Sequence, residues 1–354
     1  MTVGVTASPL GAAEDTAVET ALAKVNVVRY GGADRFETSV LTTKAFSDFK
    51  GDLIVSVMMV SGFKWHDAVV TAPFDTPVIL TRRNAVPPKT MEYLRRFTSP
   101  SNGAPFVTLI STNAISPAVD DQLAKAGMEV FRIDGSDQFL TSVAVAERLG
   151  GLSQFRGVRT VILASGQVFA DALVAGRLAS YDHLPILLNP PHALHSKIRE
   201  FLSSYDVEQV ILMGGAAALS QDVEDSIREL DIRTLRVAGQ TRFETAVEVA
   251  RITGLNSCHI HGGSLAVGLT RAWVPYDAFS ATPMLARYGA PLLLTAPDEL
   301  PPATMAYLDE ARAAQAKCGD EPLMLIVIGG EAAVSQEAID AYLQRGEEIV
   351  TTDE

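Results

Sequence analysis

Arginines that can contact an anion stand at corresponding places in the 354-residue chain. Arg35 and Arg242 each follow a short polar residue where a helix is predicted to begin. A cation there opposes the helix dipole by about 0.3–1 kcal/mol unless it has an anionic partner, which is either a group of the protein or an anion of a ligand. The segments Asp34–Glu37 and Thr241–Glu244 also match a helix capping box, which accounts for the polar residue and the glutamate but not for the arginine.

Aspartates and glycine turns form the second set of candidate ligand contacts. Each aspartate follows a predicted strand and a short loop, so its simplest role is to cap the next helix, a contribution of about 1 kcal/mol. Free N–H groups at glycine turns bind carboxylate, phosphate or sulfate, although such turns can equally serve only to bring a strand and a helix close together. The candidates are Asp67, Asp171, Asp277, Ser61, Gly62, Ser165, Gly166, Gly214, Gly215, Gly329 and Gly330.

The sequence contains no constellation typical of catalysis. Its six histidines form no His-Glu-x-x-His zinc motif, and both the Gly-x-Ser-x-Gly motif and the phosphate loop ending in Gly-Lys-Ser or Gly-Lys-Thr are absent. His192 and His195 share a predicted helix face, but they follow Pro190-Pro191 in one repeat only, which favours a surface position over a metal site. We therefore predict a protein that is not an enzyme and that has no cofactor and no metal.

Composition narrows the class of protein further. Hydrophobic residues make up 47% of the chain and charged residues 20%, which excludes disorder. The formal net charge of −13 argues against nonspecific binding to nucleic acid, so affinity for an anionic polymer must come from local pockets. The longest apolar runs, such as Leu323–Ile328, are too short to span a bilayer, so we predict no membrane insertion.

Three ordered markers recur along the chain and divide it into repeats. The first, Arg29–Thr38, returns as Arg132–Thr141 after 103 residues and as Arg236–Thr245 after a further 104. The second marker surrounds the three aspartates, and the third is a short apolar run: Pro77–Thr81, Pro185–Asn189 and Pro291–Thr295. We predict modules at residues 25–127, 128–230 and 231–354, which leave no room for a separate catalytic domain. Residues 1–24 would be either the remnant of a signal peptide or an ordinary Ala-rich leader.

Each repeat alternates short apolar runs with amphipathic segments. In the second repeat, the sequence predicts strands at Val161–Ala164, Pro185–Leu188 and Val210–Met213, and helices at Asp171–Ala179, His195–Leu202 and Ser220–Leu230. Such an alternation is typical of an α/β fold with a mostly parallel sheet covered on both faces. Ligands of such sheets bind beyond the carboxyl ends of the strands, where the markers fall. Because small similar modules tend to bury a shared face, we also predict that the three pack together as an intramolecular trimer.

Taken together, the markers resemble the cell wall binding repeat 2 family. Its modules carry an Arg-x-x-Gly-x-Asp-Arg-Tyr/Phe-x-Thr opening, a Ser-Gly…Asp-Ala-Leu turn, a Pro-Ile-Leu-Leu strand and an Ile-Gly-Gly turn. The resemblance extends from Val25 to the C-terminus and implies three tandem Rossmann-like modules packed about a pseudo-threefold axis. It also implies a secreted, monomeric, non-catalytic protein of Gram-positive bacteria, associated with the cell wall through an anionic polysaccharide or a similar polymer.

No single repeat keeps the whole family pattern. The first has Ser111-Thr112-Asn113 in place of the Gly-Gly turn, the second has Gln138 and Leu140 in place of the arginine and glutamate, and the third has Leu269-Thr270 where Ser-Gly is expected. A site within one module is therefore in doubt, whereas a site shared across an interface can still be complete. The alternatives are a protein-interaction scaffold that has lost polymer binding and, less favoured, a nucleotide- or sugar-phosphate enzyme.

The two cysteines, Cys258 and Cys318, permit a single disulfide. Both precede predicted strands of the third module, which would place them at the same edge of its sheet. In an exported protein, a bridge closing this loop of roughly 60 residues would contribute about 4 kcal/mol in the chain-entropy model. Two free thiols are the alternative.

Overall fold

The computed structural model describes residues 22–50, 56–96, 106–254, 263–274 and 276–348. Residues 1–21 of the predicted leader are not among the described residues. The strands are β1 (Val25–Tyr30), β2 (Ser56–Ser61), β3 (Val78–Thr81), β4 (Phe106–Ser111), β5 (Glu129–Asp134), β6 (Gln154–Phe155), β7 (Val158–Ser165), β8 (Ile186–Asn189), β9 (Gln209–Met213), β10 (Arg233–Val237), β11 (Ala266–Arg271), β12 (Leu292–Thr295) and β13 (Leu323–Ile328). The helices are α1 (Arg35–Lys50), α2 (Trp65–Val69), α3 (Pro88–Arg95), α4 (Pro117–Lys125), α5 (Gln138–Glu147), α6 (Phe169–Val174), α7 (Gly176–Tyr181), α8 (Ser196–Ser204), α9 (Gln221–Arg228), α10 (Arg242–Thr253), α11 (Tyr276–Arg287), α12 (Pro302–Ala316) and α13 (Gln336–Glu348).

The predicted alternation of strands and helices is confirmed. In the second repeat the three apolar runs are β7, β8 and β9, and the segment predicted as one helix at Asp171–Ala179 is divided between α6 and α7. Proline occupies the first turn of α3, α4 and α12, where its missing N–H costs nothing because that group has no partner within a helix.

Three mostly parallel sheets share one strand order. They run β3-β2-β4-β5, β8-β7-β9-β10 and β12-β11-β13-β1, and the short β6 adds to β7 in the antiparallel sense. The central strands are continuous apolar runs that are buried on both faces, as parallel sheets require. The α/β class is therefore confirmed.

The strand that opens a repeat belongs to the sheet of the repeat before it. β5 opens the second repeat and pairs with β4, and β10 opens the third and pairs with β9. β1 opens the first repeat and pairs with β13 of the third, in register from Val25↔Leu323 to Tyr30↔Ile328. The sheets are thus offset by one strand from the sequence period, and β1 closes the series on itself. The boundaries near Val25, Met128 and Asp231 describe the sequence period and stay a prediction as boundaries of folded units.

Helices of all three repeats meet between the sheets. α11 of the third repeat packs against α1 of the first and α7 of the second, while α2 of the first packs against α5 and α6 of the second. One hydrophobic core includes Phe46, Leu173 and Phe279, one from each repeat. The outer faces of the second and third sheets have smaller cores of their own, beneath α8 and α9 and beneath α12 and α13. The three repeats therefore contact one another, and their threefold symmetry stays a prediction.

Strand register corrects one alignment made from the sequence. Ser61 pairs with Thr81 and Ser165 with Asn189, and the corresponding pair in the third sheet is Arg271 with Thr295. The residues at the Ser-Gly position of the third repeat are thus Arg271-Ala272, and the expectation of Leu269-Thr270 there is wrong by two residues. Leu269 and Thr270 lie inside β11, where the apolar run hides the true end of the strand.

The predicted disulfide falls partly outside the described residues. Cys318 is disulfide-bonded, but Cys258 is not among the residues that the structure describes, so the pairing stays a prediction. Within the described ranges, no helix combines the length and the apolar character needed to span a bilayer.

Candidate ligand-binding site

Three corresponding sites lie at the carboxyl edges of the sheets, each between two repeats. One wall of each is a marker aspartate near the start of α2, α6 or α11, together with the turn that follows β4, β9 or β13. The other wall is the first helix of the next repeat, α5, α10 or α1. We name them the Asp67, Asp171 and Asp277 crevices. Parallel strands end together at one edge, so this is where the fold gathers side chains distant in sequence.

The marker aspartates lie inside their helices, so the predicted N-cap role is wrong. α2 and α6 begin at Trp65 and Phe169, after the N-cap residues Lys64 and Val168. The carboxylate instead faces the turn after the neighbouring strand. In the Asp67 crevice, Thr112 donates its N–H to both carboxylate oxygens of Asp67 at 3.1 Å and its hydroxyl to Oδ1 at 2.6 Å.

Burial raises the pKa of all three aspartates. The pKa of Asp67 rises to about 6, although the hydroxyl and N–H of Thr112 act in the opposite direction. The positive charge of Arg242 opposes the rise at Asp171, and that of Arg35 opposes it at Asp277. The pKa values of Asp171 and Asp277 thus depend on an arginine of the opposite wall, and that of Asp67 depends on Thr112 of the turn that it faces.

Both predicted arginines are held by a backbone carbonyl and an aromatic ring. Nη1 of Arg35 donates to the carbonyl oxygen of Gly62 at 2.6 Å, and Nη1 of Arg242 donates to that of Ala272 at 2.9 Å. Cζ of Arg35 lies 4.2 Å from the ring centroid of Tyr276, a residue of the third repeat. A guanidinium has five N–H donors, so one such bond fixes the side chain and leaves donor capacity for a ligand.

The capping interpretation is confirmed at Thr241 and in part at Asp34, because Glu37 accepts the N–H of Ala33 and not that of Asp34. Oδ1 of Asp34 accepts the N–H groups of Phe36 and Glu37, each at 2.9 Å. Thr241 and Glu244 form a reciprocal capping box at the start of α10. Asp34 and Thr241 therefore organise the helix ends, while the arginine beside each of them faces the crevice.

The Asp67 crevice is filled by its own side chains. Oγ1 of Thr112 bridges Asp67 and the hydroxyl of Thr141, which lies 2.9 Å away on α5. Gln138 stands where the other crevices have an arginine. The carbonyl that such an arginine would contact, at Gly166, lies instead 2.9 Å from Nε2 of His66. Protein groups thus occupy this crevice.

The other two crevices have glycine at the position of Thr112. A Cβ placed on Gly215 or Gly330 would find no non-neighbouring heavy atom within 4 Å, so both positions face open space. The preceding residues, Gly214 and Gly329, have φ angles of 93° and 107°, a left-handed conformation that glycine adopts without strain. A Cβ on Gly214 would also overlap Asp171. The glycine pairs therefore both permit the turn and keep the crevice open.

The Asp277 crevice is a cavity of about 240 Å³ between the third and first repeats. Arg35 and Thr38 of the first repeat line one side, and Arg271, Tyr276 and Asp277 of the third line the other. Oδ1 of Asp277 and Nε of Arg271 are buried and have no hydrogen-bond partner among the described residues. The crevice therefore combines two cations, an aromatic ring and the carboxylates of Asp34 and Asp277 with unused hydrogen-bonding capacity.

The profile of the family described as Cell wall binding domain 2 (CWB2) matches residues 29–120, 132–224 and 236–339. The chain belongs to this family. Family membership confirms the resemblance found from the sequence and gives the chain a cell-wall-binding role and a location at the cell wall, outside the cell. The three CWB2 matches begin within β1, β5 and β10, the strands that pair with the preceding sheet.

The chain is similar to several known proteins over part of their length. The chain is 25% identical over 212 residues to the N-acetylmuramoyl-L-alanine amidase LytC of Bacillus subtilis. The aligned segment covers 60% of this chain and 38% of LytC. The structures of Cwp6 and Cwp8 from Clostridium difficile align with TM-scores of 0.71 and 0.72 at 23% and 22% identity. These alignments cover 91% and 92% of this chain and 48% and 52% of the solved chains. The chain thus spans about half the length of the solved Cwp6 and Cwp8 chains and 38% of the length of LytC. The likeness to Cwp6 and Cwp8 concerns the fold.

The turns beside the crevices are supported by Ser61, Gly62, Ser165 and Gly166. Oγ of Ser61 accepts the N–H of Phe63, and Oγ of Ser165 accepts that of Gln167, both at 3.2 Å. A Cβ on Gly62 would lie 2.7 Å from Cε1 of Phe36, so the ring packs directly on the glycine. These contacts are internal to the CWB2 module. As ligand contacts, these four residues, like the others predicted from the sequence, remain proposals.

Sequence reasoning missed several residues of the crevices. Thr38, Tyr276 and Arg271 line the Asp277 crevice but were not among the predicted contacts. Phe63 and Trp273 stand two residues after strand ends at the same place in their repeats. Alignment of the six-residue interval between strand end and aspartate would have found both rings, but the misplaced strand end in the third repeat concealed it.

Proposed function

We propose that this protein anchors non-covalently to an anionic polymer of the Gram-positive cell wall, without catalysis, and that the Asp171 and Asp277 crevices hold the polymer. The observation that carries the proposal is where the degenerate residues fall. Thr112 of the first repeat and Gln138 of the second contribute to one crevice, the Asp67 crevice. Both losses therefore affect one interface, and the other two keep an arginine and a glycine pair.

Charge supports an anionic ligand at these two crevices. The chain carries a formal charge of −13, so the overall field repels a polyanion. Arg35, Arg242 and Arg271 provide local positive charge, and charge-assisted hydrogen bonds to an acidic group are stronger than neutral ones. In this proposal Asp171 and Asp277 lie beside the glycine turns, at the place where Asp67 binds its own turn through Thr112.

The remaining parts of the proposal concern the whole protein. We infer that it is secreted, acts as a monomer and is not an enzyme. The amidase name belongs to LytC, of whose length the chain spans 38%. The sequence has neither the His-Glu-x-x-His motif nor the Gly-x-Ser-x-Gly motif. Among the described residues no cluster of three or more histidines, cysteines and acidic residues is suited to a metal ion.

The test is co-sedimentation with purified Gram-positive cell walls. We expect the protein to sediment with untreated walls and to stay in solution with walls from which the anionic polymer has been extracted. Equal binding to both preparations would assign the affinity to another wall component. A failure to bind either preparation would favour the scaffold alternative, in which the crevices serve only to join the repeats.

A second experiment places a threonine in each open crevice, at the position where Thr112 fills the Asp67 crevice. Gly330→Thr and Gly215→Thr introduce the residue found at Thr112, at positions with free space and without a positive φ. We expect each to weaken wall binding about tenfold while the melting temperature stays near that of the parent. Thr112→Ser, which keeps the hydroxyl in the closed crevice, is the matched control and should bind as the parent does.

A further inference from the structure

Two solvent-exposed aromatic rings border the open crevices. Phe63 is 56% exposed and Trp273 is 48% exposed, although both are large apolar side chains. Single exposed hydrophobic residues are common on proteins and need no explanation by themselves. These two differ because they occupy the same position of the first and third repeats, two residues after the end of β2 and β11.

Each ring is fixed in place by neighbours of its own repeat. Phe63 meets Phe36 edge-on, with ring centroids 5.9 Å apart and planes at 63°. Trp273 meets Phe243 in the same way, at 5.9 Å and 72°. A ring already oriented in the free protein loses little conformational entropy when a ligand covers it, which favours binding.

Each ring also lies beside the arginine of an open crevice. Cζ of Arg35 is 5.2 Å from the centroid of Phe63, and Cζ of Arg242 is 5.7 Å from that of Trp273. An apolar face and a positive charge are therefore offered together. A ligand that matches both carries an acidic group next to a flat surface with apolar C–H groups, as one face of a sugar ring has.

The second repeat lacks both features at once. Gln138 stands at the position of the arginine and the exposed Gln167 at the position of the ring. Within this one chain, ring and arginine are thus present together in two crevices and absent together from the third, which its own side chains fill. A ring that only holds its arginine would show the same association, so the experiments below separate that role from contact with a ligand.

We propose that Phe63 and Trp273 are sugar-stacking platforms that extend the Asp277 and Asp171 crevices, so that the chain has two binding positions for an acidic polysaccharide and a silent third interface. The inference rests on the proposed function. In each position the guanidinium contacts the acidic group and the ring covers the adjoining sugar. The Asp67 crevice only joins the first and second repeats.

The test compares ring variants of the full chain in sedimentation with purified Gram-positive cell walls. We expect Phe63→Ala and Trp273→Ala each to raise the half-saturating wall concentration about fivefold, and the double variant to raise it more. Trp273→Tyr, which keeps a flat ring, should bind as the parent does. Phe131→Ala is the matched control, because Phe131 is also 48% exposed but lies on β5, where its ring packs against Phe106.

Salt separates stacking from an indirect effect through the arginines. Added salt screens charge but does not weaken apolar contact. The loss caused by Phe63→Ala should therefore persist at high salt, whereas the loss caused by Arg35→Ala should shrink. Phe63→Leu keeps apolar packing on the guanidinium without a flat face, and we expect it to bind as weakly as the alanine variant.

Fluorescence gives a direct readout, since Trp65 and Trp273 are the two tryptophans of the chain. In a Trp65→Phe variant, solubilised wall polymer should change the emission of Trp273. Unchanged emission, or ring variants that bind like the parent while Arg35→Ala and Arg242→Ala are weakened, would overturn the stacking inference and leave the proposed function standing. If the arginine variants also bind like the parent, the proposed function fails as well.

Discussion

At the scale of single residues, an arginine next to a helix start is held here by a carbonyl oxygen and an aromatic ring, which carry no charge. The charge of Arg35 acts on Asp277 and that of Arg242 acts on Asp171. His66 approaches the corresponding carbonyl of the second repeat, and burial lowers its pKa, which favours the neutral ring. A charge is thus retained at two interfaces and absent from the third.

We predict that Arg242→Ala weakens wall binding about tenfold or more, because the loss of a charge-assisted hydrogen bond costs about 1.5–3 kcal/mol. Gln138→Ala should change binding little, since its crevice is filled. Wall sedimentation measures both.

The controls for this prediction concern folding and charge. Arg242→Ala also leaves the buried carbonyl of Ala272 without its donor, so the melting temperature must be compared with that of the parent. Arg242→Lys keeps the positive charge and should retain part of the affinity. If Arg242→Ala folds normally and binds walls as the parent does, the arginine serves only to hold its turn.

We predict that the free energy of unfolding of Asp67→Asn, relative to that of the parent, increases as pH rises from 4 to 7. Burial raises the pKa of Asp67 from 3.8 to about 6, so the folded state binds this proton more tightly than the unfolded state. Stability from this group is therefore present below about pH 4 and is lost as pH rises towards 6.

The size of the effect follows from the difference between the two pKa values. It corresponds to about 2–3 kcal/mol, at 1.36 kcal/mol for each pKa unit. Urea unfolding of parent and variant at both pH values isolates Asp67, because other groups titrate alike in the two proteins. A variant-to-parent difference that is the same at pH 4 and 7 would contradict the prediction.

The role of a residue could be predicted from the sequence where its interaction partner is close to it in the chain. The caps formed by Asp34 and Thr241 follow from a motif of four residues, and the structure confirms them. The aspartates were assigned wrongly as caps, because their true partner lies far along the chain: Asp67 meets Thr112, 45 residues away. Spacing within a motif contains no information about such a contact.

At the scale of elements, the opening arginine of each repeat joins its strand to the last helix of the repeat before it. Arg236 on β10 contacts Glu224 on α9 through Nε and Nη2, at 3.0 and 2.8 Å, and Arg132 on β5 contacts Asp120 on α4. Arg29 on β1 instead contacts neutral groups, including the carbonyl oxygen of Val334 at 2.8 Å. The hydrogen bonds that Arg29 makes between the first and third repeats therefore involve no carboxylate.

We predict that Arg236→Ala lowers the free energy of unfolding by about 2–3 kcal/mol and Arg29→Ala by about 1–2 kcal/mol. The first leaves the carboxylate of Glu224, only 7% exposed, with Arg228 as its remaining cation. The second removes hydrogen bonds to neutral acceptors, which contribute less. Urea denaturation measures both, and equal losses would show that the charge of Glu224 is not what sets the difference.

Elements were predictable from the sequence, but their partners were not. The apolar runs of the second repeat locate β7, β8 and β9 to within a few residues. The offset of one strand between repeats and sheets left no trace in the pattern, because the alternating exposure of β5 and β10 fits an edge strand of either sheet. Nothing local distinguishes β5 as a partner of β4 from the first strand of a separate module.

At the scale of the whole molecule, shared strands and a shared core make the repeats interdependent. We predict a single unfolding transition in calorimetry, with equal calorimetric and van't Hoff enthalpies, although the sequence has three units of domain size. The reason is that each sheet contains a strand of a neighbouring repeat and that one core draws on all three. Three resolved transitions would contradict this.

Deletion of residues 1–30 provides the companion experiment. It removes β1 and exposes an edge of β13, which is apolar and buried in the intact protein, so we expect a lower melting temperature and aggregation. Deletion of residues 1–21 leaves every contact described above in place and is the matched control. A protein that melts alike after both deletions would show that β1 contributes nothing to stability.

The pairing of β1 with β13 has a mechanical consequence for a wall anchor. β1 runs parallel to β13 towards the edge where the crevices lie, so the chain enters from the opposite edge. In the proposed anchor, a force applied to the chain before Val25 is resisted by polymer held at the far edge and acts along the strand. Such a load shears the ladder, and its hydrogen bonds must fail together instead of opening one by one. A cargo attached on that side would therefore pull against the strongest direction of the sheet.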